Sequence, residues 1–162
     1  MIKNILNNKN ILITGAGKGI GKQLVYDCIN DGAFVYCLIK SKKDNINFKG
    51  LNNLKIFNGD VNDIKIIKKI FNYSIKNEKI INGIVNNAGL RLRKKFINIS
   101  KDEIKKIFDT NFFSIFFLLQ SYFKYIEKYN FSTSIVNVGS IVGKIGFNEL
   151  SAYASTKSAL SG

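Results

Sequence analysis

The chain has 162 residues, 46% of them apolar, enough for one domain spanning residues 1–162 that hides about 68–70% of the surface its unfolded form exposes. Its 25 basic and 11 acidic residues give a net charge of +14, but 23 of the basic residues are Lys and two are Arg, scattered through a chain rich in Lys, Ile and Asn as AT-rich codons produce. No cluster of Arg with interleaved aromatics points to nucleic acid, and with His absent and only Cys28 and Cys37 present there is no metal-ligand spacing.

The opening "MIKNILNNKN" has no long apolar run before a small-residue cleavage site, so no signal peptide is expected. "NILITGAG" begins with an apolar strand, about Asn10 to Thr14, that runs into glycines. "IGKQLVYDCIND" has helical spacing through Ile20, Leu24, Val25 and Cys28 and ends at Gly32. "AFVYCLI" is a second strand, a polar stretch covers 41–53, and "LKIFNGD" is a third strand. Ile64, Ile67, Ile70, Phe71 and Ile75 mark a helix over 62–77, and "IINGIVNNAG" supplies a fourth strand.

Ser100 and Glu103 form a capping box, opening a helix expected from about Lys101 to Tyr129. Its middle, "NFFSIFFLLQSYF", is shorter than the roughly 20 residues of a membrane span, so a buried helix is expected and no membrane partner. Being apolar nearly all round, it should place one face on a sheet and the other on a partner molecule. "SIVNVGS" is a fifth strand, and "SAYASTKSALSG" begins another helix. Five alternations of strand and helix, with no hairpin signal, predict an α/β fold: a doubly wound parallel sheet with helices on both faces. Cys28 and Cys37 fall in a helix and a strand as small buried thiols, suited to a reducing cytoplasm.

"TGAGKGIG" (14–21) lies where a strand becomes a helix, a place where outward amides and the helix dipole favour a diphosphate. The P-loop pattern fails, because Ala16 stands where glycine is needed and Gln23 follows Lys22. The G-x-G-x-x-G pattern fails at Ile20. What remains is T-G-x-x-x-G-x-G through Thr14, Gly15, Gly19 and Gly21, a motif that a plain strand-to-helix turn could also explain.

Together with "GDV" (59–61), "NNAG" (86–89), Asn111, Ser140 and "YASTK" (153–157), that loop resembles the short-chain dehydrogenase/reductase family over about residues 10 to 162. The resemblance implies a Rossmann-type NAD(P)-binding domain and a nicotinamide-dependent oxidoreductase acting on a small carbonyl or alcohol. Four helical residues advance about 6 Å, which brings Lys157 to the face of Tyr153. A positive neighbour favours phenolate, so Tyr153 could exchange a proton with the substrate oxygen. The resemblance also implies that Ser140 donates to that oxygen, that Lys157 holds the nicotinamide ribose, and that Asn111 supports a water-linked proton path to Lys157. Taken singly, each has a plainer reading: a surface Tyr/Lys pair, a turn serine, a buried polar side chain.

For the cofactor, the resemblance assigns Gly15, Lys18, Gly19, Ile20 and Gly21 to the phosphates. Asp60 and Val61 fall to the adenine end, and Asn87, Ala88 and Gly89 to the ribose side. No acid follows Ile39 until Asp44, whereas Lys18 and Lys40 are placed to attract a 2′-phosphate, so NADP(H) is expected over NAD(H). The two arginines, Arg91 and Arg93, follow "NNAG" beside Lys94 and Lys95. They suggest an anionic handle on the substrate, or else a solvated basic loop.

Gly162 comes five residues after Lys157, whereas the family continues into a further strand and a substrate-covering loop. The sequence is therefore expected to be the N-terminal portion of a reductase, incomplete in its last strands and inactive by itself. The full-length protein is expected to be a homodimer or homotetramer. A rival expectation is a non-catalytic remnant that binds a dinucleotide or a partner.

Overall fold

Short runs of Ile, Leu, Val and Phe bury both faces of a strand, which suits parallel pairing under helices. In the computed structural model, which describes residues 4–127 and 129–161, these runs become β1 (Asn10–Thr14), β2 (Phe34–Ile39), β3 (Leu54–Asn58), β4 (Gly83–Asn86) and β5 (Ser134–Asn137). All neighbouring pairs are parallel, in the order β3-β2-β1-β4-β5. The connecting helices are α1 (Gly19–Asn30), α2 (Ile64–Lys76), α3 (Lys101–Phe108) and α4 (Ser114–Ile126), with α5 (Ser151–Ala159) following β5.

Alternation along the strands divides the core. Leu12, Tyr36, Leu38, Phe57 and Ile84 pack on one face against Ile67, Ile70 and Phe71 of α2 and Leu118, Tyr122 and Tyr125 of α4. Ile11, Ile13, Val35, Cys37 and Ile39 meet Val25 and Cys28 of α1 on the other. Truncating a fully buried member such as Leu12 to Ala costs about 2–5 kcal/mol. The doubly wound sheet with helices on both faces is the architecture expected from the alternation of patterns.

Two elements differ from their sequence reading. The polar stretch 41–53 contains a 3₁₀ segment, Lys42–Phe48, held down because Phe48 is buried beside the Tyr26 ring at 5.8 Å. The long helix ends at Ile126 rather than Tyr129, and a π-helical turn at Asp109–Phe113 joins α3 to α4. Its inner side buries Ile115, Leu118 and Tyr122, while Phe113, Phe116, Phe117 and Phe123 face outward. β5 lies at the sheet edge, with Val136 53% exposed. No helix among the described residues is long and apolar enough to cross a membrane.

Candidate active site

Because every strand runs the same way, the segments that follow them gather along one edge of the sheet. β1 and β4 are neighbours at the point where strand order reverses, which opens a crevice there. The glycine turn after β1 closes against the segment after β4. Thr14 Oγ1 accepts from the amides of Asn87 at 3.1 Å and Ala88 at 3.0 Å, and Asn87 Nδ2 donates to the carbonyls of Thr14 and Gly15. Contact is tight enough that a Cβ on Gly21 would collide with the Gly15 carbonyl and the Asn87 amide. Gly15 itself sits at φ +63°, where other residues are strained.

Lys18 precedes α1 and is exposed, as are Gly19 and Ile20. The first turn of α1 holds no acidic side chain, and the Cβ position at Gly19 has no heavy atom within 4 Å. A bare helix N-terminus with open space before it fits a diphosphate. Lys40 and Asp60, from the ends of β2 and β3, meet in an ion pair at 2.8 Å. Burial pulls the Asp60 carboxyl upward, but hydrogen bonds from the Lys40 ammonium and from Asn62 outweigh it and leave its pKa below the ordinary value. Val61 follows it, packed at the margin of the core under α2.

Tyr153 and Lys157 share one face of α5, with Lys157 Nζ 5.9 Å from the Tyr153 ring centre. The lysine is buried and donates to the Val138 carbonyl at 2.7 Å. Burial lowers its pKa from the ordinary lysine value of 10.5. Two residues beyond Val138, Ser140 Oγ accepts from the Val142 amide at 3.2 Å, starting the 3₁₀ turn Ile141–Gly143. That bond occupies a lone pair and leaves the hydroxyl proton free to donate.

Asn111 is fully buried in the π-helical turn. Its Oδ1 accepts from the Leu90 amide at 2.7 Å, and its Nδ2 donates to the Leu90 carbonyl at 2.9 Å and to Thr156 Oγ1 at 3.0 Å. Asn111 thus ties the segment after Gly89 to the residue next to Lys157. π-turns recur where a helix must present a functional group. The two arginines part company: Arg93 Nε is bound to Glu149 at 3.2 Å, whereas Arg91 is exposed and has no partner among the described residues.

Several supporting residues escaped the sequence reading. Thr156, Leu90 and the Val138 carbonyl act through partners distant in the chain, and no local pattern marks them. Gly143 lets its turn lie on α5, since a Cβ there would come 2.8 Å from the Lys157 carbonyl carbon. Glu149, at φ +62°, also accepts the Lys94 amide through its carbonyl at 2.8 Å.

Sheet order and the glycine turn at the reversal point define a Rossmann-type α/β protein. A family model described as short chain dehydrogenase matches residues 9–162, and the chain belongs to that family. It is 26% identical over 170 residues to L-2,3-butanediol dehydrogenase of Corynebacterium glutamicum, covering 96% of this chain and 63% of the relative. It is 28% identical to carbonyl reductase [NADPH] 2 of Sus scrofa, covering 92% and 60%. The solved structure of ElxO with NADP bound superposes with a TM-score of 0.84 at 29% identity, over 94% of this chain and 63% of that one. The chain thus spans between 54% and 63% of the length of these and similar curated relatives.

Proposed function

We propose that this chain carries the NADP(H)-binding and catalytic residues of an oxidoreductase that reduces a carbonyl to an alcohol. The observation that carries the reading is the α5 face itself, where Tyr153 and Lys157 stand together while Lys157 is anchored two residues from Ser140. The NADP-bound neighbour and the NADPH-named relative support the choice of cofactor. Gly15, Gly19, Ile20 and Gly21 with the α1 N-terminus would hold the diphosphate. Lys18 and Lys40 would take the 2′-phosphate, Asp60 and Val61 the adenine end, and Asn87, Ala88 and Gly89 the ribose side. When bound, the nicotinamide supplies the hydride.

The residues of the chain handle the oxygen. Ser140 donates a hydrogen bond to the substrate carbonyl, orienting it toward the Tyr153 phenol. Tyr153 then gives its proton to that oxygen as negative charge develops there, and the buried Lys157 ammonium stabilises the phenolate left behind. Asn111 positions this pair by holding Thr156 and Leu90, and any water-linked proton path runs beside it to Lys157. Arg91 is the arginine left to meet an anionic substrate group, since Arg93 is engaged by Glu149. A 3-oxoacyl thioester, a ketone or a sugar-derived carbonyl suits this arrangement. The outward Phe113, Phe116, Phe117 and Phe123 are covered by a second copy in a homodimer or homotetramer.

The test is NADPH oxidation by the complete protein with a panel of neutral and anionic carbonyls. Tyr153→Phe should retain NADPH binding and lose at least about a hundredfold in rate, the usual range for a general acid. An unchanged rate would overturn the assignment.

A further inference from the structure

α2 and α4 connect parallel strands on the same face of the sheet, so they run side by side in one direction. Asn62 Nδ2 donates to Thr110 Oγ1 at 3.3 Å near their upstream ends, and the Ser74 and Tyr125 hydroxyls meet at 2.7 Å near their downstream ends. Between these ties the helices leave a groove of about 980 Å³. Its floor is the buried set Ile67, Phe71, Leu118 and Tyr125. Ile64 and Ile75 stand on the α2 side, about 16 Å apart along the helix. Phe113 and Phe117 stand on the α4 side, with their rings stacked at 6.3 Å.

Most polar side chains of the groove are already engaged. Ser114 and Ser121 donate to the carbonyls of Thr110 and Phe117 at 2.6 and 2.8 Å, and the Tyr125 hydroxyl accepts from the Ile81 amide at 3.0 Å. Asp109, the one carboxylate here, is held by Lys105 at 2.7 Å. The interior therefore offers an occupant apolar contact alone. The rims differ: Lys68 and Asn72 lie one turn apart on α2, and Gln120 and Lys124 one turn apart on α4, all four exposed. Among the described residues neither lysine has an acidic partner.

We infer that the α2–α4 groove binds a fatty carboxylate, its chain laid over Ile67, Phe71 and Leu118 and its head group held between Lys68 and Lys124. The chain gains by leaving water, and the two unpaired ammonium groups select the head: they attract an anion and repel a cation. A volume of about 980 Å³ lies at the upper end of the roughly 300–1,000 Å³ of small-molecule sites. The groove is distinct from the crevice at the glycine turn. Of the residues given to the dinucleotide only Val61 touches it, at the upstream end, away from Lys124. Phe113 and Phe117 also belong to the outward ridge given above to a second copy, whereas Phe116 and Phe123 do not line the groove. A second copy that fills the groove is therefore the competing occupant.

The test is calorimetric titration of laurate and of dodecyltrimethylammonium, each below its micelle concentration, into the wild type and two double variants checked for native circular dichroism. Lys68→Glu/Lys124→Glu reverses the rim charges. Lys42→Glu/Lys43→Glu makes the same change in net charge at exposed lysines elsewhere and is the control. Laurate should saturate one site per chain in the wild type and the control, and bind at least about tenfold more weakly to Lys68→Glu/Lys124→Glu. Dodecyltrimethylammonium should bind more weakly than laurate to the wild type and more tightly to Lys68→Glu/Lys124→Glu than to the control. Laurate affinities within about twofold of each other in the two double variants, or binding that does not saturate, would overturn the inference. Sedimentation velocity checks the competing occupant: a wild-type dimer that takes up no laurate would assign the groove to the second copy and would also overturn it. NADPH titration of the same samples reads the dinucleotide site separately, so either reading can fail without the other.

Discussion

Replacing Asn111 with Ala removes one acceptor and two donated hydrogen bonds from a fully buried position. The Leu90 amide and carbonyl lose their side-chain partners together, each at about 1–3 kcal/mol if no water replaces them. Leu90 is half-buried, so water recovers part of that cost. Thr156 also keeps its own bond to the Tyr153 carbonyl at 2.8 Å, so its loss is smaller. Together these give a destabilisation of about 2–4 kcal/mol, a large part of the roughly 5–15 kcal/mol that a domain has. Urea unfolding followed by far-ultraviolet circular dichroism measures it. Asn62→Ala, which loses one exposed bond to Thr110 at 3.3 Å, is the control and should change stability by less than about 0.5 kcal/mol. If Asn111→Ala is no less stable than the control, Asn111 does not tie the β4 segment to α5.

The remaining predictions concern titration and accessibility. Burial lowers the Lys157 pKa below 10.5, so the native state releases this proton before the unfolded chain does. The penalty for the buried charge is constant below the native pKa and is relieved as pH rises from there to 10.5; wild type should gain stability relative to Lys157→Met over that window, and a flat difference would contradict it. The Ser100 amide and the Lys94 ammonium hold the Glu103 carboxyl down at about 2, so its contribution is present above 4.5 and is lost as pH falls toward 2. Glu103→Gln should flatten that acid loss, most visibly at low salt. Burial pushes the Cys37 thiol up to about 12 and raises that of Cys28, so both should react with a thiol reagent only on unfolding.

The strands and α1 were legible because each is a local pattern: an apolar run, or an apolar stripe ending at glycine. The glycine turn was legible for the same reason, since eight consecutive residues carry it. The 3₁₀ segment after β2 was not, because Asn and Lys dominate it and only the burial of Phe48 against Tyr26 organises it. The π-turn at Asp109–Phe113 falls within continuous helical periodicity, with no Gly or Pro to mark it, and depends on Asn111 reaching Leu90 and Thr156. Among the site residues, the spacing of Tyr153 and Lys157 placed them on one face, but the Val138 carbonyl that anchors Lys157 belongs to another element. The pairing of Lys40 with Asp60 likewise follows from β2 and β3 lying side by side, which no local spacing shows.

Dinucleotide binding at the glycine turn is tested most directly by titrating NADPH into the protein and into Gly21→Val, with displacement by NADP. The account predicts saturable, displaceable binding by the wild type. It predicts none by the variant, whose side chain would drive the Gly15 carbonyl and Asn87 amide apart. No saturable binding by the wild type, or equal binding by Gly21→Val, would contradict it.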